Sequence, residues 1–283
     1  MTAVLDPAPA GAGGDGPPRG RPGRRPPSTP FLVAVRIILL LGGGLLTVCL
    51  LAGLTYSAAG VLVRTAERAD TTLRGRIDRV EVHVSGSVEV HPGPEGRARV
   101  QRRSDFSFDR PQVRQEIVDG VLELRYGCRD VAVICGHHID LAVPHGADLV
   151  IEADHVVVAD TTGSIRLRSG GGTVELERVA GPIDAQVGGG AIIGRDVRST
   201  DVRASAGGGS IEIDFSRPPQ WVDVSAGAGH IGLVLPRGQA AYRVDAEAGV
   251  GESQVSVRTD PGSDRVIRAR AGAGDVVVRY GPA

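Results

Sequence analysis

The sequence predicts an all-β protein, and more narrowly a β-solenoid, on three observations. A β-type run, a small residue, Gly-x-Gly and a second β-type run recur six times between Ser169 and Arg279. Within the runs aliphatic residues alternate, as Val174 with Leu176 and Ile211 with Ile213 do, which is the period of a half-buried strand. No stretch after Gly75 sustains a helical period.

The last glycines of the six phrases stand at positions 172, 190, 209, 229, 251 and 274, in steps of 18, 19, 20, 22 and 23 residues. A fixed phrase on a period near twenty marks stacked coils, none of which can bury its apolar face alone. The corner glycines are Gly170 and Gly172, Gly188 and Gly190, Gly207 and Gly209, Gly227 and Gly229, Gly249 and Gly251, and Gly272 and Gly274. Glycine suits a corner because it adopts positive φ and lets neighbouring backbones approach. Composition agrees: 41 glycines but only four Phe, four Tyr and one Trp in 283 residues point to a narrow interior of Val, Ile, Leu and Ala. Every one of the 32 basic residues is arginine, which excludes Schiff-base and phosphate-loop lysine chemistry.

Ahead of the repeats, Met1 to Pro30 is rich in Gly, Pro, Ala and Arg and has almost nothing to bury, so a disordered tail is expected. Residues 31–64 are expected to form a membrane helix. Ile37 to Val63 carries no charge and would span about 40 Å as a helix, enough for a bilayer core with some tilt. Up to Arg36 there are five arginines against two acids; beyond it, 27 arginines face 31 acids. The positive-inside rule therefore predicts a cytoplasmic tail and an extracytoplasmic remainder. The competing reading is a cleavable signal peptide with Ser57 and Ala59 before the cut; the long uncharged run and the tail before it favour an uncleaved anchor.

Residues 65–76 read as a polar stalk, and 77–283 as the β-repeat domain. Val80, Val82 and Val84, then Val88 and Val90, alternate with polar residues around a turn at Ser85-Gly86-Ser87. A second turn cluster spans Pro92 to Gly96, followed by a strand at Ala98 to Arg102. Asp119-Gly120 joins Val113–Val118 to Val121–Tyr126 as a hairpin. Leu141 to Gly146 ends a further strand in a Pro-containing turn. The Cys128–Cys135 region is expected to cover the first coil, and Gly281-Pro282-Ala283 to stop pairing at the other end.

In an exported domain the nearby pair Cys128 and Cys135 reads as a disulfide, with Cys49 a small side chain in the apolar span. The rival is a metal site that adds His137 and His138. Its spacing is unlike a zinc finger, and adjacent histidines on a strand point to opposite faces, so no metal ligands are expected. Gly227 to Gly232 formally matches G-x-G-x-x-G, but strand and turn follow it where a helix is required. Asp154, Asp160, Glu175, Glu177, Asp184, Asp196, Asp201, Glu212 and Asp214 could serve a β-helical carbohydrate-active enzyme. With Arg166, Arg168, Arg178 and Arg203 they read better as a solvated outer face. Trp221 and the Asp105–Asp109 stretch set aromatics near turns, where ligand contact is one reading and packing over the end of a coil the one expected.

The small-Gly-x-Gly-x-Val/Ile phrase, Leu141-Ala142-Val143-Pro144-His145-Gly146, the upstream cysteine pair and Leu233-Val234-Leu235-Pro236-Arg237-Gly238 resemble the bacterial "putative adhesin" family of β-strand-repeat envelope proteins. The resemblance covers roughly Val80 to Tyr280; the lysine-free, Arg/Ala/Gly-rich composition is similar to that of high-GC actinobacterial members. Gly249 to Ser253 departs from the pattern, with Val255 arriving late, so a bulge is expected there. The resemblance implies a surface-exposed β-solenoid with no catalytic residues and no cofactor. The function expected is non-enzymatic: a membrane-anchored surface for adhesion, scaffolding or ligand binding. An envelope-sensing regulator acting through the Arg-rich tail is the alternative, and a carbohydrate-active enzyme a further one. Candidate partners are the membrane, cell-wall polysaccharide, other envelope proteins and a second copy of the chain; no nucleic-acid partner is expected.

Overall fold

A computed structural model describes residues 42–54, 64–107, 111–127 and 135–282. The chain divides into two units, Met1–Thr55 and Tyr56–Ala283. In the first, helix α1 covers residues 42–54, with Leu45, Leu46, Val48, Leu50, Leu51 and Leu54 all exposed. Thirteen residues of helix reach only about 20 Å. Among the described residues no helix is long and apolar enough to cross a membrane. The tail, both flanks of the expected span, and Cys128 lie outside the described residues.

The second unit is all-β. Its strands are β1 (Arg64–Arg74), β2 (Arg79–Val84), β3 (Gly86–Gly93), β4 (Arg97–Ser107), β5 (Gln112–Val118), β6 (Val121–Gly127) and β7 (Cys135–Pro144). Then follow β8 (Asp148–Glu152), β9 (His155–Ala159), β10 (Ile165–Ser169), β11 (Thr173–Glu177), β12 (Ile183–Gly189), β13 (Ala191–Val197) and β14 (Asp201–Gly208). The last are β15 (Ile211–Phe215), β16 (Trp221–Ala228), β17 (Ile231–Leu235), β18 (Arg243–Val250), β19 (Ser253–Ser256), β20 (Val266–Ala273) and β21 (Val276–Tyr280).

They form two mixed sheets, an arrangement closer to a sandwich than to a simple stack in chain order. The eleven-stranded sheet runs β1-β4-β7-β3-β9-β11-β13-β15-β17-β21-β19, and the ten-stranded one β18-β20-β16-β14-β12-β10-β8-β2-β6-β5. From β8 onward the chain crosses from one sheet to the other at every corner, and each strand pairs in parallel with its sheet neighbour. Among the described strands the antiparallel pairs are β1/β4, β4/β7 and β5/β6. The inward face of each strand is aliphatic: Leu167, Ala185, Val202 and Val224 from one sheet meet Val174, Ile192, Ile211 and Leu233 from the other in one continuous core. Fully burying a Val, Leu or Ile side chain stabilises by roughly 1.5–3 kcal/mol. A single rung holds too few of them to stand alone.

Three expectations are corrected. Residues 65–76 are no stalk: Thr65 to Arg74 lie in β1 and pair along their length with β4. Ala69, Thr71 and Leu73 are half-buried between polar neighbours, a pattern too polar to read as a strand without its partner. The turn at Ser85-Gly86-Ser87 does not keep the chain within one sheet: β2 and β3 lie in different sheets, and Gly86, at φ 138°, is a corner like those of the repeats. The C-terminal strands do not end the stack either. β20/β21 slot in between β16/β17 and β18/β19, which leaves the Gly249–Ser253 rung at the edge. The edge position accounts for that rung's aberrant sequence, with Val250 at 72% and Val255 at 39% exposure. At the other end β2/β3 is likewise inserted, between β6/β7 and β8/β9.

Candidate functional site

The outer face of the ten-stranded sheet carries an ordered array of polar groups. β10, β12, β14, β16, β20 and β18 are successive neighbours. At one shared register they present Arg166, Asp184, Arg203, Asp223, Arg268 and Asp245. In chain order the last two signs would be reversed; the exchange of the final two rungs makes the alternation strict. Strands about 4.8 Å apart put each of the four inner charges between two of opposite sign. Yet within this row only Arg166 Nε and Asp184 Oδ2 come within 4 Å of each other, at 3.9 Å. The row is therefore spread out across the face, with donor-only arginines and acceptor-only aspartates in turn.

Trp221 stands on the same face two residues before Asp223, with Asp201 and Val266 as its register neighbours. The Arg268 guanidinium lies 4.7 Å over its ring centroid, a cation–π stack. Its indole Nε1 is buried without a hydrogen-bond partner. Trp221 forms one wall of a groove of about 500 Å³ lined also by Arg79, Val150, Ser164, Arg166, Pro182, Asp184, Asp201 and Arg203. Beside it, the Ser164 amide and hydroxyl donate to Asp148 Oδ1 at 2.9 and 2.7 Å, and these bonds hold that carboxyl below the usual range. Ser164 is thereby engaged without an intervening histidine. The groove offers a ring face and alternating donors and acceptors.

The corner glycines line up in two ladders along the stack. A Cβ on Gly207 would stand 2.5 Å from the Gly188 oxygen, and one on Gly272 2.6 Å from that of Gly227. Gly190, Gly209, Gly229, Gly274 and Gly251 take φ between 128° and 146°, each with the carbonyl of the preceding rung in the place of a Cβ. Gly170 opens the first ladder and Gly172 the second, facing Asp154; Gly188, Gly227 and Gly249 continue the first.

Carboxylates weighed for hydrolysis are drawn into ion pairs along the outer faces: Glu175 with Arg195 at 2.8 Å, Asp160 with Arg178 at 2.7 Å, Asp196 with Arg198 at 3.0 Å. The arginine partners hold Asp160 below the usual range, and Ser216 and then Arg198 do the same for Asp196. His137 and His138 point to opposite faces, which separates the four-residue metal set. His137 is buried with its Nδ1 2.8 Å from Ser104 Oγ, whereas His138 meets Ser87 Oγ at 2.7 Å outside. Cys135 Sγ lies 3.7 Å from His137 Nε2, and its expected partner Cys128 is outside the described residues. Burial, and then Arg102, push His137 below its ordinary value. Arg102 is itself buried, bonded to Glu67 at 2.9 Å and set 5.9 Å from the Tyr126 ring.

Sequence reasoning missed the charge row, because it is a property of spatial rather than chain order, and set Trp221 over a coil end where it lies on a sheet face. Phe106 is buried, as packing required. It also missed Glu89, His91 and Asp140, which could hold a metal ion; the signal was Glu-x-His on one strand, with its third member fifty residues away.

No protein-family model and no curated protein matches the chain. Among solved structures it is similar to a putative cell adhesion protein from Clostridium sporogenes (12% identity, 76% of this chain and 100% of that one, TM-score 0.35). It is similar also to a putative adhesin from Bacteroides fragilis (14%, 75% and 97%, TM-score 0.40). A third is a putative lipid binding protein from Parabacteroides distasonis (12%, 76% and 97%, TM-score 0.46). These likenesses lend no residue role to this chain, and none bears on an actinobacterial type or on anchoring.

Proposed function

We propose that the 56–283 unit is a non-enzymatic binding module of the cell envelope that holds a polysaccharide along the outer face of its ten-stranded sheet. The observation that carries this reading is the strict Arg/Asp alternation beside Trp221. A sugar ring offers an apolar face to an aromatic, and its hydroxyls both donate and accept. The row supplies donors and acceptors at strand spacing without first satisfying them on each other. In this reading the alternation of strands between the sheets is a β-solenoid, whose rigidity keeps the row straight. Residues 37–63 anchor the chain in the membrane, with 1–30 cytoplasmic, and Cys128 and Cys135 form a disulfide outside.

The test is co-sedimentation of residues 56–283 with isolated cell walls across a salt series. Saturable binding that survives salt and is lost in Trp221→Ala is expected. Binding that vanishes with salt, or is unchanged in Trp221→Ala, would reduce the association to nonspecific charge and refute the groove.

A further inference from the structure

The outer face of the eleven-stranded sheet bears a second cluster, on the other sheet from the groove residues. Glu89 and His91 are two residues apart on β3 and so leave the strand on the same side. Asp140 on β7 is the direct register partner of Glu89. One ligand atom from each of the three lies within 4.8 Å of the others, and His91 Nε2 stands 3.2 Å from Glu89 Oε1. All three side chains are half-buried.

Among the described residues, no arginine is ion-paired to Glu89, His91 or Asp140. Asp140 makes neither a hydrogen bond nor an ion pair among the described residues. Arg99, the cation whose field it shares, directs Nη2 and Nε to Asp70 at 2.6 and 3.1 Å. Gln101, Val157 and Ala142, the register neighbours, are uncharged. Two carboxylates and an imidazole are thus gathered on two paired strands, and the arginine nearest in field, Arg99, is engaged by Asp70.

We propose that Glu89, His91 and Asp140 form a divalent transition-metal site, with Zn2+ as its preferred ion. The imidazole argues against Ca2+ and Mg2+, which favour all-oxygen shells, while mixed nitrogen and carboxylate ligands suit zinc. Donors about 2.0–2.2 Å from a tetrahedral zinc stand roughly 3.4 Å apart, so the present spread closes by side-chain rotation alone. Three protein ligands leave a fourth position open to water or to an oxygen of a bound partner. The ion would tie β3 to β7 across the point where a rung is inserted out of chain order.

The experiment is calorimetric titration of the metal-stripped full-length chain with Zn2+, and with Ca2+ for comparison. Wild type is set against His91→Ala, Asp140→Asn and Glu89→Gln. One equivalent of Zn2+ is expected to bind in preference to Ca2+, with affinity falling at least about tenfold in each variant. Zn2+ should raise the Tm of the wild type and not that of His91→Ala. The variants should keep the wild-type circular dichroism, since all three side chains lie on the outer face. Absence of stoichiometric Zn2+ binding, preference for Ca2+, or affinity unchanged from wild type in His91→Ala and Asp140→Asn would each overturn the assignment. The last result would move the ion to another histidine or cysteine.

Discussion

Gly209 has the carbonyl oxygen of Gly190 in the space where its Cβ would stand, and its own φ is 130°. Both facts exclude a side chain, one by overlap with rigid backbone and the other by conformation. The middle glycine of the same triplet, Gly208, has nothing within 4 Å. Gly209→Ala is therefore expected to destabilise by about 3 kcal/mol or more, and Gly208→Ala to stay within about 0.5 kcal/mol of wild type, by urea denaturation. Equal effects at the two positions would remove the ladder as the reason for the repeat.

The charge row makes a prediction about salt. Arg203 lies in register between Asp184 and Asp223. Arg203→Asp would set three aspartates side by side, whereas Arg203→Ala only opens a gap. The first should lower Tm clearly at low ionic strength and recover as salt is raised, and the second should cost no more than about 1 kcal/mol. Thermal melts at two salt concentrations decide it.

His137 should give the domain a pH dependence in the near-neutral range. Burial lowers its pKa below the ordinary 6.5, so the unfolded chain takes up a proton first as pH falls. This contribution is fully present above about pH 6.5 and is lost as pH drops from there toward the folded value, with a slope of at most about 1.4 kcal/mol per unit. Asp70, Asp148, Asp160 and Asp196, all lowered, add a separate loss below about pH 4. His137→Gln should flatten the first limb and leave the second, as read from denaturation midpoints across pH.

The edge rung should open first. β18 and β19 have a neighbour on one side only, and all four residues of β19 are exposed. Amide exchange in Gln254 to Ser256 should be faster than in Val277 to Arg279, its partners one strand inward.

The all-β class and the corners were legible because glycine is compulsory where backbones meet and alternation is compulsory where one strand face is buried. Gly190 and Gly209, Val174 and Leu176 obey local rules that no distant residue alters. The exchange of β18/β19 with β20/β21 is different. It depends on which rung better tolerates an open edge, and the repeats carry no mark of spatial order beyond the late Val255. With that order hidden, Arg268 could not be set beside Asp223, so the row that defines the candidate site was invisible. β1 was lost for a related reason, since Thr65 to Arg74 reads as polar until β4 is laid against it. Rungs such as β8/β9 escaped notice because Asp154 stands where later rungs have glycine.

Trp221 is the sole tryptophan of the chain, so the groove carries its own reporter. The most direct test is to follow its fluorescence while soluble cell-wall polysaccharide fragments are added at physiological salt. A saturable change in intensity or emission maximum is expected, and it should be lost when Asp223 and Arg203 are both replaced by alanine. An emission spectrum unmoved by fragments that the protein nonetheless binds would put the binding surface elsewhere and contradict the assignment of the groove.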